Sequence, residues 1–229
     1  MVEKSRLWYL ENFNLFSNLS STKMMELNKL ISDRNISAEQ PIYFASEPSK
    51  NIYFLKTGRV KITKYLNDGS EKIIAIINPG EIFGEMAYLG EGERTDYAIT
   101  LEPSLICAIN KNDLASFIEQ NPELNLRLTK ILGLKLKSFS ERIEDLIFKD
   151  ANQRIASFVY RYSQKNGKKV GAHIFVKPFL KHQNIRELTA CSRQTVNYFL
   201  TELRNKKIID FDRSKLIINK LEDLKKYIS

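Results

Sequence analysis

One stretch of the chain combines residue types that could bind an anion. In FGEMAYLGEGERTD, residues 83–96, Gly84 and Glu85 precede Arg94 and Thr95. Arginine forms paired hydrogen bonds with phosphate groups, and glycine lets backbone amides approach an anion closely. These residues could therefore line a pocket for a phosphate-bearing ligand. They could equally form an ordinary charged turn between strands, and the stretch alone does not choose between the two.

A second stretch, CSRQTVNYFLTELRNKKII, carries residues with DNA-reading chemistry. Apolar residues recur at helical spacing and predict one buried face, formed by Val196, Phe199, Leu200 and Leu203. The outward positions are Arg193, Gln194, Asn197 and Tyr198. In a major groove, arginine can pair with guanine, and glutamine or asparagine with adenine. The stretch therefore predicts a helix that reads base edges.

A shorter helix before this one completes a helix-turn-helix pattern. Ile185 and Leu188 lie three positions apart on the first helix, and Ser192 is expected to cap the second. The flanks and the wing supply residues for DNA phosphates, which position a protein without specifying sequence: Lys181, Gln183 and Arg213. A helical hairpin with a solvated polar face is the alternative.

The charge of the chain is concentrated at one end. Residues 151–229 carry 17 Lys or Arg and 6 Asp or Glu, a net charge of +11. Residues 1–120 carry 13 and 16, a net charge of −3. A strongly basic last third favours a polyanionic partner over a merely solvated basic surface.

Composition excludes several other classes of protein. Hydrophobic residues make up 43% of the 229 residues, which is enough for packed cores. Apolar runs such as Ile73–Ile77 are far shorter than the ~20 residues of a membrane span, and we expect no signal peptide. Two cysteines and two histidines make a metal site improbable. We expect a cytoplasmic protein with no membrane partner.

The surrounding elements fall into three predicted parts: residues 1–120, 121–150 and 151–229. Within the stretch 13–34, Ser20-Ser21-Thr22 offers a cap for a helix that presents Met25, Leu27, Leu30 and Ile31. Short strands follow from about 38 to 110, and glycine turns separate them. Asp68 and Gly69 signal a tight hairpin. Many short strands at this spacing indicate an antiparallel sandwich or barrel. A helix capped by Asn112 or Asp113 then follows.

A long helix over about 122–149 carries an apolar seam. Its residues follow one another at steps of four and three, which is the spacing of a short heptad repeat: Leu132, Leu136, Phe139, Ile143 and Leu146. Such a seam either packs on its own domain or pairs with a second copy of the chain. Its continuity across the acidic and basic parts favours a homodimer.

The C-terminal motif resembles that of the cyclic-AMP receptor protein (Crp/Fnr) family of bacterial transcription regulators, which run C-S-R-E-T-V where this chain has CSRQTV. The likeness extends over nearly the whole chain. It implies an α+β fold with an N-terminal antiparallel β-roll of the cyclic-nucleotide-binding kind, a long dimerisation helix and a C-terminal winged helix-turn-helix. Gln194 and Tyr198 replace the Glu and the second Arg with which the family reads bases, so we expect a different operator.

The resemblance also gives the 83–96 stretch a role. In the family it is a phosphate-binding cassette, and the match implies these ligand-binding residues: Gly84, Glu85, Met86, Arg94, Thr95 and Ser140. Glu85 would accept from a ribose hydroxyl, Arg94 and Thr95 would hold the cyclic phosphate, and Ser140 would reach the purine. Asp96 stands where the family has alanine, and Phe139 replaces the threonine of its Thr-Ser pair.

The expected function is that of a dimeric, sequence-specific DNA-binding regulator whose β-roll senses a small ligand. Cyclic AMP or another cyclic nucleotide is the candidate effector, and no other cofactor is expected. Double-stranded DNA and RNA polymerase are the expected partners. The alternative is a constitutive DNA-binding dimer with a non-binding pocket. An enzyme using Glu85, Arg94 and Asp96 is disfavoured, because neither histidine lies near them in sequence.

Overall fold

Short apolar strands separated by glycine turns build the first part of the chain, as the sequence predicts. The computed structural model describes residues 15–17, 19–212 and 214–228, and it divides into two units, one ending at Lys135 and one beginning at Leu136. The first unit contains eight strands among the described residues: β1 Ile31–Ile36, β2 Pro41–Tyr43, β3 Asn51–Thr57, β4 Val60–Tyr65, β5 Glu71–Ile77, β6 Ile82–Phe83, β7 Tyr97–Thr100 and β8 Ser104–Asn110.

These strands form two four-stranded antiparallel sheets. One sheet has the order β1-β8-β3-β6 and the other the order β2-β7-β4-β5. The apolar side chains of both sheets form two buried clusters, one around Phe54 and one around Leu55. Because neighbouring residues on a strand point to opposite faces, β3 supplies both clusters. The predicted antiparallel β-roll is confirmed.

The predicted hairpin at Asp68-Gly69 joins β4 and β5. Gly69 has a φ of +78°, which a residue with a Cβ rarely adopts. The Asp68 carboxylate accepts from the Ser70 amide at 2.8 Å, as expected for an aspartate in a tight turn. Tyr65 is thereby paired with Glu71 across the two strands.

Helices flank the strands of the first unit, with two differences from the prediction. Helix α1 spans Ser21–Leu30, and its cap Ser20 accepts from the Lys23 amide at 3.4 Å. The predicted helix includes Ile31, but α1 ends at Leu30, because Ile31 begins the strand that pairs with β8. Helix α2 spans Lys111–Glu119, and its cap is Asn110 rather than the predicted Asn112 or Asp113.

The long helix α3 spans Glu123–Phe148, close to the predicted 122–149. Its first turns belong to the first unit, where Leu124 and Leu128 are buried in the cluster around Phe54. The division between the two units falls inside this helix. The three-part domain division at residues 120 and 150 stays a prediction.

The second unit is a small sheet packed with helices. Helix α4, Ala151–Asn166, begins with a reciprocal capping box between Asp150 and Gln153. The remaining elements are β9 Lys168–Val170, β10 His173–Val176, α5 His182–Thr189, α6 Arg193–Asn205, β11 Ile209–Phe211, β12 Leu216–Ile218 and α7 Leu221–Lys225. The strand order is β11-β12-β10-β9. Helices α5 and α6 followed by the β11–β12 hairpin confirm the winged helix-turn-helix.

Candidate DNA-binding and effector sites

Helices α5 and α6 form the predicted helix-turn-helix. Ala190 adopts a left-handed conformation at the end of α5, which turns the chain sharply. Ser192 then caps α6 by accepting from the Thr195 amide at 3.0 Å. The predicted inner face of α6 is fully buried: Val196, Phe199, Leu200 and Leu203. The first helix and the turn therefore brace the second, whose opposite face lies outward.

The predicted base-reading residues all lie on this outward face. Arg193, Gln194, Asn197 and Tyr198 are exposed, and Tyr198 is 71% exposed. The candidate phosphate contacts Lys181 and Gln183 are exposed as well, and so is Ser192, the cap of α6 and a further candidate DNA-binding residue. Arg213, the candidate contact from the wing, lies outside the described residues.

Two residues that support this face were not identified from the sequence. His182 contacts the Asn197 side chain through its Nδ1, and its ring packs against Phe211 of the wing at 5.5 Å between centroids. Arg154 on α4 donates from its Nε to the carbonyl of Thr189 at 2.9 Å. These partners lie 15 to 35 positions apart along the chain, so no local sequence signal could have identified them.

The 83–96 stretch begins with a tight turn. Gly84 has a φ of +68° and opens a short 3-10 helix, Glu85–Ala87. A Cβ at this position would lie 3.1 Å from the Arg94 Nη1 atom and from the Tyr53 ring. The positive φ favours glycine at this position, and any Cβ would have to displace Arg94 or Tyr53 by a few tenths of an ångström.

Arg94 is buried and already holds several partners. It is 4% exposed, and its Nη1 donates to the Gly84 carbonyl at 3.0 Å. Its Nη2 donates to the Asn51 carbonyl, and its guanidinium lies 4.4 Å from the centroid of the Tyr43 ring. Glu91 pairs with Nη1 at 3.7 Å. The sequence singled out Arg94, but it did not identify this set of partners.

The remaining predicted ligand residues have different surroundings. Glu85 pairs with Lys135 Nζ at 2.9 Å, a partner that the sequence did not suggest. Thr95 is exposed and donates to a Glu91 carboxylate oxygen at 3.4 Å. Met86 is also exposed. Ser140 is an exposed residue of α3 in the second unit, and its contact with a purine stays a prediction.

Asp96 forms a hydrogen-bonded pair with Tyr43. The Tyr43 hydroxyl donates to Asp96 Oδ1 at 3.0 Å. Burial raises the pKa of Tyr43, and the Asp96 carboxylate raises this pKa further. Burial also raises the pKa of Asp96; the Tyr43 hydrogen bond opposes this rise, whereas the negative charge of Glu91 reinforces it. A phosphate on Arg94 would thus share the site with nearby carboxylates.

The predicted seam of α3 leaves most of its side chains in solvent. Leu136, Phe139, Ile143 and Leu146 are between 43% and 68% exposed. Leu132 differs from these four, because it is partly buried against the core of the first unit. Part of the Leu132 side chain therefore packs on its own unit, and its place in the dimer interface stays a prediction.

Other features bear on the class of protein. Within the described ranges, no helix is long and apolar enough to cross a membrane. Across those same residues, no group of three or more His, Cys, Asp or Glu side chains could hold a metal ion.

Two family models match the two parts of the chain. The model of the cyclic nucleotide-binding domain matches residues 33–121. The model of the Crp-like helix-turn-helix domain matches residues 153–227. The first match covers the β-roll with the 83–96 stretch, and the second covers the exposed face of α6.

Similar proteins of known role span nearly the same length. The chain is 26% identical over 215 residues to the CRP-like cAMP-activated global transcriptional regulator of Mycobacterium tuberculosis, covering 94% of this chain and 96% of that protein. It is 28% identical over 213 residues to the anaerobic regulatory protein of Bacillus subtilis, covering 91% and 89%.

A solved structure supports the fold. FixK2 from Bradyrhizobium japonicum matches with a TM-score of 0.77 at 18% identity, over 87% of this chain and 98% of that one. The two matched domains occur together in the CRP-like transcriptional regulator described above, and this chain is likewise a transcription regulator and not an enzyme. With its cyclic nucleotide-binding domain and its DNA-binding helix-turn-helix, the chain belongs to the Crp/Fnr family of bacterial transcription regulators.

Proposed function

We propose that two copies of this chain pair along α3 and bind one DNA duplex as a sequence-specific transcription regulator. The observation that carries this proposal is the exposure of four large apolar side chains at heptad spacing on α3: Leu136, Phe139, Ile143 and Leu146. Burying a side chain of this size is worth about 1.5–3 kcal/mol. A matching stripe on a second copy is the partner that heptad spacing favours.

In this proposal the two α6 helices read two half-sites. Arg193 pairs with guanine, and Gln194 and Asn197 with adenine, because their groups match those base edges. Tyr198 offers its exposed ring and hydroxyl for contact with the same half-site. Lys181, Gln183, Ser192 and Arg213 hold phosphates and set the register. Two such helices reach successive major grooves when they lie about 34 Å apart. The regulator acts in the cytoplasm, with RNA polymerase as its protein partner.

The β-roll then supplies the response to an effector. Gly84, Glu85, Met86, Arg94, Thr95 and Ser140 are the proposed ligand contacts, and a cyclic nucleotide such as cyclic AMP is the proposed effector. The match to a cyclic nucleotide-binding domain supports this assignment. A ligand shifts a two-state dimer only by its differential affinity for the two states, so effector and DNA must strengthen one another's binding reciprocally.

One observation favours the second candidate, a constitutive DNA-binding dimer. Arg94 is buried and bonded to the carbonyls of Gly84 and Asn51, and Glu91 already supplies it with a negative charge. Calorimetry with cyclic AMP and cyclic GMP separates the candidates. Heat of binding, together with tighter DNA binding in the presence of the nucleotide, supports a sensor. A DNA affinity that neither nucleotide changes supports the constitutive dimer.

A substitution on α6 tests the assignment of base-reading residues. We expect Arg193→Ala to relax the preference at one base pair of each half-site, at a cost of about 1–3 kcal/mol. Operators are first selected from random duplexes, and affinities for single-base variants are then measured at constant salt. The control Lys181→Ala should weaken binding evenly over all sequences. An even loss for Arg193→Ala as well would reassign this residue to a phosphate contact.

A further inference from the structure

The carboxylate of Glu91 is held by three neighbouring side chains of the roll. Ser49 Oγ donates to Glu91 Oε2 at 3.1 Å, and Thr95 Oγ1 donates to Oε1 at 3.4 Å. Arg94 Nη1 lies 3.7 Å from Oε2. Ser49 is 1% exposed, and its amide donates to the Gly92 carbonyl at 2.9 Å, which ties the two backbone segments together. The hydroxyls of Ser49 and Thr95 and the guanidinium of Arg94 thus position the Glu91 carboxylate.

Two of these donors are the residues proposed to hold the phosphate of an effector. Arg94 and Thr95 offer a guanidinium and a hydroxyl, and both groups bind a carboxylate in the way they bind a phosphate. Two anions cannot share these donors without strong repulsion, because like charges a few ångströms apart interact strongly in a partly buried site. The Glu91 carboxylate therefore engages donors that a ligand phosphate would use.

We propose that Glu91 is an internal competitor for the anion position on Arg94, and that it sets how strongly the roll binds phosphate-bearing ligands. This inference rests on the proposed effector site. A cyclic nucleotide enters only by displacing the carboxylate from Arg94 and Thr95. The charge of one side chain thereby determines whether the roll behaves as a sensor or as an unresponsive scaffold.

The test is to neutralise Glu91 while keeping its shape. Glu91→Gln retains one oxygen that can accept from either Ser49 or Thr95, and its amide nitrogen can donate to the other hydroxyl, but it withdraws the charge from Arg94. Calorimetry at fixed ionic strength measures the Kd of cyclic AMP, cyclic GMP and inorganic phosphate for both proteins. We expect at least one cyclic nucleotide to bind about tenfold more tightly or better to the variant than to the wild type.

Glu93→Gln is the matched control. Glu93 is exposed, lies two positions away and carries the same charge, so its substitution changes net charge equally without altering the donor set. We expect its Kd values to stay within about twofold of the wild type. Glu91→Asp is a second variant, which keeps the charge but draws it back from Arg94, and it should show an intermediate gain.

DNA binding separates this inference from the proposed function. Unchanged or weaker nucleotide binding by both Glu91 variants, in proteins that still bind the selected operator, would overturn the role of Glu91 and leave the DNA-binding assignment intact. An equal gain in Glu93→Gln would also overturn it, since general electrostatics would then explain the effect. A wild-type protein that binds no operator would contradict the proposed function instead.

Discussion

At the scale of single residues, Asp96 is a carboxyl group whose ionised form is disfavoured in the folded protein. It is partly buried beside Tyr43 and close to Glu91, and its pKa is raised above the ordinary value of 3.8. A raised pKa means that the protonated form fits the folded state better. The protonated Asp96 carboxyl therefore contributes its full stabilisation of the fold below pH 3.8, and this stabilisation is lost as the pH rises through the pKa of the folded state.

We expect Asp96→Asn to be slightly more stable than the wild type at pH 7, by less than about 1 kcal/mol, since solvent screens a partly exposed group. The amide oxygen can still accept from Tyr43. Urea unfolding at several pH values measures the difference, which should vanish below pH 3.8. A variant that is less stable at pH 7 would show that the ionised Asp96 is favourable in the fold.

The sequence identifies candidate site residues within one stretch, but it does not identify the distant residues that contact them. The spacing of Gly84, Glu85 and Arg94 is a weak signal by itself, and the resemblance to the Crp/Fnr phosphate-binding cassette is what predicts a ligand contact for Arg94. Ser49 and Asn51, however, reach this site from 42 and 43 positions away. Contacts of that separation depend on how strands pair, and the spacing of residues within one stretch holds no information about them. The role of Glu91 became visible only with its donors.

At the scale of elements, the start of the second unit depends on a buried carboxylate. Asp145 near the end of α3 pairs with Arg161 of α4 and with Lys149 at 3.0 Å. Lys149 also donates to Ser157 at 2.7 Å. Burial acts to raise the pKa of Asp145, but the hydrogen bonds from Arg161 and Lys149 outweigh it, so the pKa is lowered. The stability that Asp145 contributes is thus present above pH 3.8 and lost as the pH falls through the folded pKa.

We expect Asp145→Asn to lower the free energy of unfolding by about 1.5–3 kcal/mol at pH 7, the range for hydrogen bonds to charged groups. Urea unfolding followed by circular dichroism measures this loss, and the gap to the wild type should narrow in acid. Glu144→Gln, at the exposed neighbouring position, is the control and should change little. Equal stability of wild type and Asp145→Asn at pH 7 would refute this account of the α3–α4 junction.

The sequence predicts a secondary-structure element correctly where the residues that determine it are consecutive. The Ser20 cap and the Asp68-Gly69 hairpin were predicted because each rests on two to four consecutive residues. The prediction that the helix includes Ile31 is wrong. Ile31 continues the apolar helical pattern, but Ile31–Ile36 pairs with β8, whose residues lie 68 to 78 positions away. That pairing satisfies six residues of backbone, and it outweighs the weak local preference for a helix.

At the scale of the whole molecule, the proposed regulator binds one DNA duplex as a pair of chains. The exposed seam of α3 and the basic C-terminal third were both apparent from the sequence, because apolar spacing and charge are local properties. The structure adds that Leu132 partly packs on its own unit, whereas the other four seam side chains are exposed. Ile143 lies within this exposed part and is the position at which pairing can be blocked.

Sedimentation equilibrium of the protein with its selected duplex tests the central claim most directly. We expect a mass of two chains per duplex and a selected site made of two inverted half-sites about 34 Å apart. Ile143→Glu should weaken pairing at least about tenfold by placing charges in the seam, whereas Lys137→Glu, off the seam, should not. One chain per duplex for the wild type, on a single half-site, would contradict the account.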